Sequence, residues 1–512
     1  MIESLKVCLV AINAKYIHTN PAVYSLQAYS SSFGYNCDIL EFTINQHTEQ
    51  ILMALYKEDA DLYAFSAYIW NISIIIKLVR ELKKIRPNAV IWLGGPEAGY
   101  DAENLLNQLP EVKGIMKGEG EKTFMELLKA YNADDTSSLS DIQGIIYRLE
   151  DGSIKANPDA PVMPMDELIF PYAGKKLDPN KIYYYESSRG CPFGCTYCLS
   201  SIERSVRFKN IETVKKELAF FLEQKVPLVK FVDRTFNINR EHSTAIWEFI
   251  KENDNGITQF HFEIGGDLLS DDDLALLRTF RPGLIQFEIG VQTTNHETMR
   301  AINRVTDWDI LSRNVKALLE FGNIHIHLDL IAGLPYEGIE SFRKSFDDVF
   351  NLKPSQLQLG FLKMLKGTPL YAQSISAFSG YKYLSEPPYE VLESPWLSYK
   401  DIVKFKGVEG MLEEYHNSHR YERSIAELLK SYDSSYMMFL ELAEYYIANG
   451  YLNIGLTRMR RYEILLEFIR EKKLDESVFI PLLIMDADAT ERLKHLPRWA
   501  QGYNIDIPKH KG

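Results

Sequence analysis

Three thiols fall in one short run, Arg189-Gly190-Cys191-Pro192-Phe193-Gly194-Cys195-Thr196-Tyr197-Cys198, at the spacing C-x3-C-x2-C. Thiolates are the usual protein ligands of a [4Fe–4S] cluster. Three of them would leave one iron open to another molecule. A structural zinc site asks for four ligands, usually in two paired knuckles, and the chain has no second Cys or His pair at that spacing. A disulfide could not use all three. Pro192 and the two glycines let the backbone wrap closely, because glycine accepts positive φ without steric cost. Spacing and flanks together favour a cluster with an open iron over the structural alternatives.

Such a loop needs a frame, and the chain is long enough to supply one. Its 512 residues suit about three domains, and 46% hydrophobic with 25% charged residues is ordinary for a globular protein. A net charge of −13 argues against a nucleic-acid phosphate binder. No run approaches the 18 apolar residues of a membrane span, and Met1–Lys6 lacks a signal-peptide layout. Only five cysteines occur. Cys8 and Cys37 lie in apolar or strand-like runs and read as core thiols, which fits a reducing cytoplasm.

Residues 1–140 alternate short apolar strands with amphipathic helices. Strands are expected at 6–12, 36–42, 62–67, 89–93 and 114–117, with helices at 24–32, 49–57, 72–85 and 102–108. This is the pattern of a parallel, doubly wound, flavodoxin-like α/β sheet, whose ligands sit at the carboxyl ends of the strands. Residues 141–180 read as a hairpin, turning at Glu150-Asp151-Gly152, followed by a Pro-rich linker. Residues 181–372 repeat βα six times, with strands at 182–187, 228–232, 259–264, 284–289, 324–330 and 356–362. That makes an incomplete (βα)6 barrel, with the cysteine loop after its first strand, where barrel chemistry gathers. Residues 373–512 are mostly helical.

The cysteine run, with Tyr197 in the aromatic place, resembles the C-x3-C-x-aromatic-C motif of the radical S-adenosylmethionine (SAM) superfamily. There the open iron binds SAM and one electron splits it to methionine and a 5′-deoxyadenosyl radical. Four later elements are similar to that family. Phe231–Phe236 resembles F-x-D-x-x-F and implies that Asp233 and nearby backbone hold the SAM amino group, although Arg234 stands where many members have a second Asp. Phe287–Thr293 resembles E-x-G-x-Q-S and implies Glu288 on the ribose hydroxyls and Gln292 on SAM or substrate. Asp329–Pro335 resembles D-L-I-x-G-L-P, with backbone near Ile331 meeting adenine and Gly333 permitting close approach. Lys366–Leu370 resembles a K-G-T-x-L that closes such barrels. Arg204 and Arg207 read equally as solvated side chains or as partners of the SAM carboxylate, and Arg300 and Arg304 share that ambiguity.

The first domain lacks a G-x-G-x-x-G dinucleotide fingerprint after its first strand and the acidic cluster of a receiver. Its turns at Ser66 and Tyr68, at Gly94, Gly95, Pro96 and Glu97, and at Gly118 and Glu119 resemble the cobalamin-binding domains that precede radical SAM barrels. D-x-H-x-x-G is absent around His18, which implies no His18–cobalt bond. The C-terminal region resembles an uncharacterised segment of such proteins. The resemblance implies a cobalamin-dependent radical SAM enzyme carrying a [4Fe–4S] cluster, served by a low-potential donor of flavodoxin or ferredoxin type. Methylation of an unactivated carbon is the expected outcome on an unknown substrate. Rearrangement, oxidation or methylthiolation of tRNA are the enzymatic alternatives, and an iron–sulfur or cobalamin electron-transfer or sensor protein is the non-enzymatic one. Methylthiolation asks for three further cysteines, and Cys8 and Cys37 are too few.

Overall fold

The structure is a computed structural model that describes residues 5–501, apart from 453 and 494 and the side chain of 136. The chain start at 1–4 and the last part of the expected helical region, 502–512, lie outside the described residues. Among the described residues no helix is long and apolar enough to cross a membrane.

The first sheet runs β1 (Val7–Asn13), β2 (Asp38–Thr43), β3 (Leu62–Ser66), β4 (Val90–Gly94) and β5 (Gly114–Met116), in the parallel order β2-β1-β3-β4-β5. Every residue of β1 and β3 is buried, as a strand covered on both faces requires. Alternate residues feed two cores: Cys8, Val10 and Ile12 face one helical layer, Val7, Leu9 and Ala11 the other. Cys8 and Cys37 lie one in each core, and burial pushes their thiols up to about 12 and about 11. They are core thiols, as expected. The hairpin, β6 (Ile145–Arg148) with β7 (Ile154–Ala156), extends this sheet antiparallel beside β5. A helix at Glu121–Asn132, absent from the sequence reading, follows the Gly118–Gly120 turn and buries Phe124, Leu127 and Leu128.

The second sheet holds β8 (Ile182–Tyr185), β11 (Leu228–Phe231), β12 (Gln259–Ile264), β13 (Ile285–Gln292), β14 (His325–Ala332) and β15 (Gln356–Phe361), parallel and in chain order from edge to edge. A two-residue pair, β9 (Ser188–Arg189) with β10 (Arg207–Phe208), brackets the cysteine loop. Alternation of burial marks most of the barrel strands. In β14, Ile326, Leu328, Leu330 and Ala332 are buried and His325, His327, Asp329 and Ile331 are half-buried. One face therefore packs on helices and the other gives the barrel a polar lining.

After β15 come β16 (Lys382–Tyr383) and β17 (Val391–Glu393), then helices at 399–412, 422–429, 435–448, 458–471 and 476–491. These helices share one continuous core with the barrel. Phe342 and Phe346 of a barrel helix meet Phe405, Tyr436 and Phe439 at ring distances of 4.4 to 6.3 Å. Most of their aromatic residues are thus packing, with no share in the site.

The two sheets are locked at the cysteine loop. Arg189 donates to Glu121 at 2.6 Å and Glu186 at 2.8 Å and lies 3.4 Å from Glu119. Glu119 and Glu121 follow β5 of the first sheet, so this guanidinium ties the domains together two residues before Cys191. Its side chain is only 16% exposed. Removing one partner of a buried ionic group strands the others, at a cost of about 3–5 kcal/mol. Arg189→Gln is expected to lower stability by that amount in denaturant unfolding, whereas Lys215→Gln, which breaks an exposed pair with Glu212, should stay within about 0.5 kcal/mol.

Candidate active site between the two sheets

A cavity of about 1130 Å³ opens between the carboxyl ends of the first sheet and the start of the barrel. That exceeds a common small-ligand pocket. Ser66, Tyr68, Gly94, Gly95, Pro96, Gly118 and Glu119 line it from the first domain, and Gly190, Leu199, Ser200, Val232 and Arg234 from the barrel. Asn71 sets the Ser66–Asn71 turn. Fully buried, it accepts from Tyr68 N at 2.7 Å and donates to the Ile12 and Ser66 carbonyls at 3.0 and 2.9 Å. Tyr68 stacks on Trp70, ring centroids 4.4 Å apart and planes 6° apart, which gives the cavity a flat apolar wall. Gly95 has φ 98, and a Cβ there would meet the Ala67 carbonyl oxygen at 2.5 Å, so β3 and β4 end in contact only because this residue is glycine.

Two residues expected on that wall do other work. Glu97 does not line the cavity. Its carboxyl, pushed up by burial, accepts from the Tyr389 hydroxyl of the C-terminal region. Glu119 does line it, but its oxygens are taken by Arg207 and the Met163 amide. Arg207 is therefore an interdomain ion-pair residue and is closed to the SAM carboxylate; Arg204 is exposed. His18 lies away from the cavity lining, with Nδ1 2.7 Å from the Tyr184 hydroxyl.

The cysteine loop is held from several sides. Gly190, φ 98, lies so close to Ser205 that a Cβ would come 2.2 Å from its carbonyl oxygen. Cys191 N donates to Glu203 O at 3.0 Å, Thr196 N to Ile302 O at 2.9 Å, and Leu370 N to Thr196 O at 2.8 Å. Ser201 caps the Cys195 and Cys198 carbonyls at 2.8 and 2.7 Å. Arg304 reaches Cys195 Sγ at 3.9 Å and the buried Tyr197 hydroxyl at 3.4 Å. Burial pushes the Cys195 thiol up, and the Arg304 charge opposes it. Thr235 Oγ1 lies 3.6 Å from Cys191 Sγ. Among the described residues no three His, Cys, Asp or Glu side chains converge on a single-ion site, and the loop supplies three free thiols. The cluster suits this donor set better than zinc.

The barrel interior revises several expectations. Asp233 is 1% exposed, and it accepts from Ser187 N at 3.0 Å and from the Ser187 and Ser188 hydroxyls at 2.6 Å each. Its carboxylate pins the β8 end, with both oxygens engaged by protein donors. Gly333, φ 96, is covered by protein: a Cβ would lie 2.6 Å from Val391 of β17. Its close neighbour is the C-terminal region. Ile331 is half-buried on the inner face, at the register of Gly360. Glu288 lies inside the barrel, its Oε2 3.1 Å from Lys230 Nζ and 3.0 Å from His261 Nε2. Burial works to raise its pKa, but the two bases hold it down to about 2. Gln292 follows a bulge at φ 71, and its buried Oε1 has no protein donor. An orphaned buried acceptor, on the strand that also carries the ionised Glu288, fits a polar cofactor that brings its own donors. Arg189, Arg304 and Asn71 were not separable in the sequence from ordinary surface or capping residues, since only tertiary contacts place them at the site.

Residues 7–128 match the B12 binding domain, 185–349 the radical SAM superfamily, and 379–511 a protein family of unknown function, DUF4080. An uncharacterized methyltransferase of Pyrococcus horikoshii, PH0819, is 28% identical over 40% of this chain and 46% of its own. The 2-(S-pantetheinyl)-carbapenam-3-carboxylate methyltransferase of Streptantibioticus cattleyicolor is 24% identical over 89% of this chain and 71% of its own. The chain thus spans less than half of the first relative. The radical SAM methyltransferase TsrM of Kitasatospora setae, solved with cobalamin and a [4Fe–4S] cluster bound, shares the fold at a TM-score of 0.62 and 16% identity, over 75% of this chain and 78% of that one. The chain therefore joins a B12 binding domain to a radical SAM domain.

Because the folded pKa of Glu288 is depressed, its ionic contribution is complete above the unfolded value near ~4.3 and is lost as pH falls toward about 2. Glu288→Gln is expected to lower stability by about 1–3 kcal/mol at pH 7. In urea titrations across pH, its difference from the parent should shrink below about pH 4.

Proposed function

We propose that this chain is a cobalamin-dependent radical SAM enzyme, a C-methyltransferase acting on an unactivated carbon. The supporting observation is the single cavity whose walls run from the Ser66, Gly94 and Gly118 turns to Gly190 and Leu199 of the cysteine loop. Cys191, Cys195 and Cys198 would hold the cluster. Glu288, Gln292 and backbone near Asp233 and Ile331 would hold SAM, and Ser66, Tyr68, Gly94–Pro96 and Gly118 the cobalamin. When bound, these groups supply one-electron cleavage of SAM and a transferable methyl group.

The chain's own part is placement and dryness. Arg304 sets a positive charge beside Cys195, Glu288 offers an ionised acceptor to hydroxyl donors, and the Tyr68–Trp70 stack keeps an apolar face toward the cavity. A flavodoxin- or ferredoxin-type donor in a reducing cytoplasm would deliver the electron. That both relatives described above are methyltransferases supports methyl transfer.

Anaerobic reconstitution with iron, sulfide, hydroxocobalamin, SAM and a low-potential reductant provides the test. The parent should release 5′-deoxyadenosine, and Cys198→Ala should fall to background while keeping hydroxocobalamin. No release from a protein with full iron and sulfide content would sink the radical reading. Methyl-labelled SAM in lysate of a deletion strain should label a product; release of 5′-deoxyadenosine without label would replace methylation by rearrangement or oxidation.

A further inference from the structure

Five cationic side chains line the cavity: Lys117, Arg189, Arg207, Lys209 and Arg234. Four are closed by carboxylates. Lys117 pairs with Asp159 at 2.8 Å, Arg189 with Glu121 at 2.6 Å, Lys209 with Glu217 at 2.7 Å, and Arg207 with Glu119. Arg234 differs. Its nearest carboxylate, Glu263, is 3.7 Å away, beyond hydrogen-bond range, and its side chain is 54% exposed. An arginine on the cavity wall with no carboxylate in hydrogen-bond range is a receptor for a planar or tetrahedral oxyanion.

Its position is as informative as its charge. Arg234 follows the β11 end, beside Thr235, which touches Cys191 Sγ. Its carboxylate neighbour Glu263 projects from β12 inside the barrel, and its charge reaches Tyr68 on the first domain. It therefore stands where the cavity, the cysteine loop and the barrel interior meet. It is also where the chain departs from the similar family, carrying a cation in place of an acid.

We propose that Arg234 binds an anionic group, a carboxylate or a phosphate, of the molecule to be modified, so that the substrate is an acid. The assignment rests on the function proposed above. Two other anions could use the same guanidinium, the carboxylate of SAM and the phosphate of cobalamin, and the experiment separates them.

Holoprotein loaded with cluster and hydroxocobalamin is titrated at low ionic strength with inorganic phosphate, followed by phosphorus NMR linewidth, and with carboxyl-labelled acetate, followed by carbon NMR linewidth. The parent should show saturable broadening with at least one probe, and which probe binds tells phosphate from carboxylate. Arg234→Gln and Arg234→Asp should weaken it about tenfold or more, and Arg234→Lys by less, because it keeps charge without the fork. All three variants should retain hydroxocobalamin and SAM affinity within about twofold. Absence of saturable broadening in the parent, or equal broadening in Arg234→Gln, overturns the assignment. So does selective loss of SAM affinity, which would give the site to the SAM carboxylate, or of hydroxocobalamin, which would give it to the cobalamin phosphate. Failure of the parent to release 5′-deoxyadenosine would count against the radical enzyme and is read in a separate assay.

Discussion

The Arg189 guanidinium is the interaction on which the arrangement of this molecule depends. It comes from the strand residue just before the cysteine loop and is clasped by Glu119 and Glu121, which follow the last parallel strand of the other sheet. Charges so buried are costly to bring together and costlier to separate. The pairing therefore works as a locating pin more than as a source of stability. It sets the distance between the glycine turns and the thiols, and with it the height of the cavity. Arg207, held by Glu119, fixes the other side of the same loop.

A second theme is that carboxylates near the site are divided between framing and function. Asp233 saturates its oxygens on Ser187 and Ser188 and so fixes the end of β8. Glu97 is committed to Tyr389. Glu288 is restrained by Lys230 and His261 through one oxygen. A buried carboxylate without donors is expensive, so each acid near the cavity is either partnered by protein or placed where a bound molecule can partner it.

The chain after β15 enters this economy at the barrel's open edge. Val391 covers Gly333, the Tyr381 hydroxyl donates to the Gly333 carbonyl at 2.9 Å, and Lys366 pairs with Asp101 of the first domain at 2.5 Å. The six-stranded parallel sheet does not close on itself, since β8 and β15 are its two edges. The segment after β15 seals what the missing strands leave open, and it also fastens the barrel to the first domain. The helices beyond it thicken the barrel's outer layer.

Much was legible from the chain alone. Period-two and period-3.6 patterns are local, and they yielded the strands of both sheets to within a few residues. The cysteine spacing is local too, and the glycine turns mark where backbone must approach closely, as Gly95 and Gly190 do. The helix at Glu121–Asn132 escaped because its glycine-rich start reads as a ligand turn. Side-chain direction at strand ends was decided elsewhere. That Asp233 is held by Ser187, Gly333 is covered by Val391 and Arg207 meets Glu119 depends on what another part of the chain brings close. Spacing determines which residues can do chemistry; long-range contacts decide which of them are left free to do it, because a buried polar group takes the first partner that packing presents.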